Sequence, residues 1–139
     1  MSDIARRTAL AALAYVTGVF ALGFALGVVR VTLILPHMDE MRAVLIELPI
    51  MIAASAVLAI WAVRRWGVPA SIGPRLAMGA LAFTLLMGLE LGLSVTLFGA
   101  SVSEHFARYA TPPAFLGLAA QLVFASLPAL LLLRPKGAL

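Results

Sequence analysis

Four apolar blocks, each long enough to cross a bilayer, constrain this chain more than any other feature. The first runs from about Thr8 to Leu35, interrupted only by Arg30. The second runs from about Ala43 to Val63, interrupted by Glu47. The third runs from about Leu76 to Phe98, interrupted by Glu90. The fourth runs from about Ala114 to Leu133, with Gln121 as its main polar residue. A helix needs ~20 apolar residues to cross ~30 Å of hydrocarbon at ~1.5 Å per residue, and each block reaches that length. The blocks are continuous, whereas a membrane barrel alternates polar and apolar residues over strands of ~10. The expected fold is all-α: an integral membrane bundle of four transmembrane helices at about 8–35, 43–63, 76–98 and 114–133, in one domain covering 1–139.

Composition agrees. The 139 residues are 63% hydrophobic and 12% charged, and the mean hydropathy is +1.09. A soluble domain is nearer half apolar and about a quarter charged. So small a globule has too little interior to hide the surplus, and lipid contact resolves it. The net charge is +4, but its basic residues are scattered around the blocks, so nucleic acid is not an expected partner. There is no cysteine, which excludes disulfides, thiolate metal sites and cysteine nucleophiles.

The breaks between blocks carry helix punctuation. Pro36 follows the first, and Arg64-Arg65-Trp66-Gly67-Val68-Pro69 separates the second from the third. Pro74 suits the first turn of the third helix, and Thr111-Pro112 suits the cap and first position of the fourth. The first block far exceeds the ~7–15-residue core of a signal peptide and is read as a span. Basic residues orient the bundle. Arg6, Arg7, Arg64, Arg65, Arg75, Arg134 and Lys136 fall on one side; Arg30, Arg42 and Arg108 fall on the other. Positive residues stay cytoplasmic, so both termini are expected inside, with Trp61 and Trp66 at the inner interface.

One polar residue interrupts each span. On the expected topology Arg30 lies ~7 Å inside the outer boundary, Glu47 ~6 Å, Gln121 ~10 Å and Glu90 ~12 Å. Charges facing lipid are costly and turn inward to pair. Arg30, Glu47, Glu90 and Gln121 are therefore expected to share a polar cluster. One arginine against two carboxylates is unequal, which calls for a protonated glutamate or a bound cation; the structural alternative pairs Arg30 with one glutamate. Pro49 and Pro128 each free a backbone carbonyl and are expected to kink their helices. Gly23/Gly27 and Gly88/Gly92 have GxxxG spacing and are expected to pack helices within the bundle or between two copies.

The outer loops hold His37, Asp39, Glu104 and His105, a set of imidazoles and carboxylates that could take zinc or iron, although the spacing matches no strong motif. Ser101 and Glu104 have capping-box spacing. Val102, Phe106 and Tyr109 follow at helical spacing, so a short helix at about 102–110 is expected to rest on the outer leaflet. No histidine lies within a span, which argues against buried haem, and no cofactor is expected.

With Arg30, the Glu47-Leu48-Pro49 stretch, Arg75 and Glu90, the chain resembles small four-helix proteins of the bacterial inner membrane. The resemblance is one of pattern over most of the chain. It implies that location and supplies no activity. It departs from the small multidrug exporters, which carry an acid in the middle of the first helix where this sequence has Tyr15.

Three function classes follow. The first is a non-enzymatic accessory or assembly subunit, whose partners are the bilayer and another membrane protein or a second copy. The second is a small proton- or cation-coupled transporter or channel using Glu47 and Glu90. The third is a membrane enzyme with an outer metal site.

Overall fold

The computed structural model describes residues 1–135; Lys136, counted above among the basic residues, lies outside the described residues. Four helices are long and apolar enough to cross a membrane. Helix α1, Asp3–Val29, starts at Ser2, whose hydroxyl accepts from the Ala5 N–H. Asp3 sits in its first turn, where a negative charge suits the helix dipole, and pairs with Arg6 and Arg7. Helix α2, Glu40–Trp66, is capped by the Asp39 carboxylate. It ends at Gly67, whose φ of 60° is left-handed. The Val68 N–H returns to the Val63 carbonyl and the Gly67 N–H to that of Arg64, the paired bonds of a Schellman stop. Helix α3, Ile72–Thr96, carries Pro74 in its first turn. Helix α4, Val102–Ala107, opens with the reciprocal Ser101–Glu104 capping box. Helix α5, Pro112–Leu130, begins with a proline, where no N–H is needed, and tightens into a 3-10 turn at Leu131–Leu133.

Helix α1 packs on α2 and α3, and α5 packs on the same two. Around the bundle the order is therefore α1, α2, α5, α3, with α1 and α5 on a diagonal. The start of α1, the α2–α3 connection and the end of α5 share one end: Arg7 lies beside Gly67, and the Arg75 guanidinium donates to the Pro128 carbonyl at 3.1 Å. That end is called the terminal end below, and the opposite one the far end.

The tightly packed core occupies the terminal half. Ala11, Ala12 and Tyr15 of α1 meet Ala59 and Ala62 of α2, Met78 and Ala82 of α3, and Phe124 of α5. Alanines bring the backbones close, and close van der Waals packing is what holds helices together where lipid tails are as apolar as the core. The nearest approach is at Gly79, where a Cβ would overlap the Ala125 carbonyl oxygen. Gly18 lies against the Leu58 side chain at 3.1 Å.

Two expectations need correcting. Gly23, Gly27, Gly88 and Gly92 do not make the close contacts inside this bundle. Nothing lies within 4 Å of a Cβ on Gly27, Gly88 or Gly92, and Gly23 meets only the Met51 methyl at 3.5 Å; the close approaches belong to Gly79 and Gly18. Arg75 is not merely an anchoring charge. It is 7% exposed, and its guanidinium donates to the carbonyls of Val68, Pro69 and Pro128. It thereby ties the α2–α3 connection to the last turn of α5, where carbonyls lack intrahelical partners. Both prolines lie inside their helices, and at Pro128 the freed carbonyl of Phe124 takes the Tyr15 hydroxyl at 2.7 Å.

Candidate functional site

The far half of the bundle is open where the terminal half is filled. A cavity of about 740 Å³ lies there, lined by residues of all four spans and of α4. That is the size of a small-molecule site. Along α1 its lining runs from Val19 to Leu35, roughly 24 Å at ~1.5 Å per residue, so it is long. Glycines keep it open: Gly23, Gly27 and Gly117 all line it.

The four polar residues that interrupt the spans line this one cavity and form two pairs. Arg30 Nη1 donates to Glu47 Oε2 at 3.1 Å between α1 and α2. Gln121 Nε2 donates to Glu90 Oε1 at 2.6 Å between α5 and α3. Among the described residues no hydrogen bond joins one pair to the other. Arg30 opens a π-helical turn, Arg30–Ile34, in which the Leu35 N–H reaches back five residues to the Arg30 carbonyl at 2.8 Å. The extra residue in that turn re-aims the side chains around it, and such turns recur at functional sites.

The end of α4 adds groups that periodicity alone assigned to the surface. His105 is 7% exposed. Its Nε2 lies 3.4 Å from the Tyr109 hydroxyl, which donates to Met87 Sδ at 3.8 Å. His105, Arg108 and Tyr109 all line the cavity, while Val102 and Phe106 remain exposed. Tyr109 thus turns inward instead of sharing their exposed side. The signal for this was available in the sequence, since positions 105, 108 and 109 are i, i+3 and i+4 of one helical face. Burial raises the Tyr109 phenol above its ordinary value, the Glu90 charge raises it further, and Arg108 opposes both.

Arg108 lines the cavity as well, and its charge acts on Glu90 through space; among the described residues the only ion pair in the cavity is Arg30–Glu47.

The proposed metal ligands are not gathered. His37 is exposed, the Glu104 carboxylate accepts from the Ser101 N–H in the capping box, and His105 faces the cavity. Among the described residues no group of three or more His, Asp or Glu could hold a metal ion.

Three buried atoms of the cavity lining have no hydrogen-bond partner: Glu47 Oε1, Gln121 Oε1 and His105 Nδ1. Buried polar atoms normally find a partner, so the site can receive a group that supplies hydrogen bonds. Toward the terminal end, Tyr15 and Phe124 stack at 4.3 Å. Comparison of the chain with protein-family models, curated proteins and solved structures finds no match.

Proposed function

We propose that this chain is a non-enzymatic accessory protein of the bacterial inner membrane that works by holding a ligand in the cavity of its far half. One observation carries the reading: a bundle packed shut at one end is open at the other, around polar residues drawn from every span. A bundle kept only for mechanical stability gains nothing from an unfilled half, since voids forfeit packing contacts. We take both termini as cytoplasmic because the basic residues gather at the terminal end. The fold contains no cysteine, so single cysteines at Ser2 and Gly99 and an impermeant maleimide test that orientation directly. Labelling of Ser2→Cys in intact cells would reverse it.

The ligand-holding role is tested by native mass spectrometry of protein extracted from membranes in mild detergent. Wild type should retain a bound small molecule, and the double variant Gly27→Leu, Gly117→Leu, which fills the cavity, should not. Identical masses for the two proteins would overturn the proposal.

Proton- or cation-coupled transport is a second reading, favoured by Glu47 and Glu90 lining the same cavity. It requires a path past Tyr15 and Phe124. A liposome flux assay comparing wild type, Glu90→Gln and empty liposomes decides it; equal flux in all three removes it.

A further inference from the structure

The geometry points to a single-chain amphiphile with a primary ammonium headgroup as the occupant of this cavity, a ligand class that two bare acceptors and a long apolar wall select. The inference rests on the ligand-holding reading above and deepens it. Glu47 Oε1 and Gln121 Oε1 accept and cannot donate. His105 Nδ1 is bare as well, its ring pairing with the Tyr109 hydroxyl through Nε2. His105 is more than nine-tenths buried, and all three residues line the cavity. A headgroup that fits must bring donors. A protonated primary amine carries three and a positive charge, and the free oxygen of a carboxylate is among the acceptors. An alcohol has one donor, and a carboxylate or sulfate has none.

The apolar wall sets the rest of the molecule. Residues 19–28 of α1 and 48–52 of α2 line the cavity with Phe20, Phe24, Leu48 and Met51. Gly23 and Gly27 keep that wall shallow. Its length matches an alkyl chain better than a compact ring system. The Arg30–Glu47 pair fixes one oxygen of the Glu47 carboxylate and so orients the other.

The test uses the full chain in phosphatidylcholine nanodiscs, whose lipid carries no primary amine. The probe is dodecylamine with a photoreactive diazirine near its tail, charged at pH 7 because a primary amine titrates near ~10.4. Crosslinking should saturate and map to residues 19–28 and 48–52. Unlabelled dodecylamine should compete, and dodecanol and dodecyl sulfate should compete at least about tenfold less well. Glu47→Gln and Gln121→Leu should each weaken labelling by about tenfold. Gly27→Leu should abolish it with circular dichroism unchanged, since open space surrounds that position. Equal competition by dodecyl sulfate would overturn the headgroup assignment and leave the cavity reading standing. Unsaturable labelling spread over lipid-facing positions such as Val57 and Leu81, unaltered in Gly27→Leu, would overturn both. Lipid extracted from protein purified out of membranes identifies the source: a retained aminolipid at about one per chain assigns the occupant to the bilayer, and its absence beside saturable probe binding assigns it to amines from outside.

Discussion

The Tyr15 hydroxyl donates to the Phe124 carbonyl at 2.7 Å across the diagonal of the bundle, and that carbonyl is free because Pro128, four residues on, has no N–H to give it. Two unusual choices in an apolar helix, a tyrosine and a proline, thus satisfy one another. The contact also joins the two helices on the bundle's diagonal, at the level where the packed half gives way to the cavity. Tyr15→Phe should leave a buried carbonyl without a partner and lower stability by about 1–3 kcal/mol. In a Pro128→Ala background the helix can supply its own N–H, and the same change should cost less than about 0.5 kcal/mol. Unfolding of the four proteins in mixed micelles gives the cycle; equal losses in both backgrounds would show that Pro128 plays no part.

Glycines on α3 should divide sharply. Gly79→Ala drives a methyl into the backbone of α5, and backbone cannot swing aside, so a loss of about 1–3 kcal/mol is expected. Gly88→Ala meets open space and should be neutral or gain up to about 1 kcal/mol from helix propensity. Thermal unfolding in detergent checks the pair, and similar behaviour at both positions would contradict the packing described here.

The contrast between those glycines also marks what was legible in the sequence. Block length and hydropathy foretold the long apolar helices, because crossing hydrocarbon leaves the backbone few alternatives. Ser101 and Glu104 announced their cap because capping is local chemistry. GxxxG spacing misdirected attention from Gly79, since spacing says nothing of which face meets a neighbour. Sequence reading left Arg108 out of the cavity lining because it treated that segment as a surface element. Arg75 looked like any basic residue beside a helix end; two of its three carbonyl partners, Val68 and Pro69, are near in sequence, but Pro128 lies 53 residues on in α5, and no local pattern encodes such a contact. The π turn at Arg30 has no proline or glycine to announce it.

Arg75→Lys should loosen the terminal end although it keeps the charge. A lysine cannot present the planar fork that reaches three carbonyls at once. Hydrogen exchange at residues 67–71 should speed up, while residues 82–90 in the middle of α3 stay protected. Unchanged exchange at the connection would mean that the Schellman stop at Gly67 holds it alone.

Tyr109 offers a readout of the cavity mouth in alkaline solution. Its folded-state value lies above the ordinary 10.0, through burial first and the Glu90 charge second. The unfolded chain therefore releases this proton earlier than the folded one. The protein binds more protons than its unfolded state above pH ~10, so stability falls as pH rises from there through the folded value and is unaffected by this group below it. The sequence has two tyrosines, so Tyr15→Phe leaves Tyr109 as the sole phenol and phenolate absorbance follows it directly. The titration should begin later than for free tyrosine. Glu90→Gln should move it down by removing a raising charge, and Arg108→Gln should move it up. A titration indifferent to both substitutions would place Arg108 and Glu90 too far from Tyr109 to share the cavity with it.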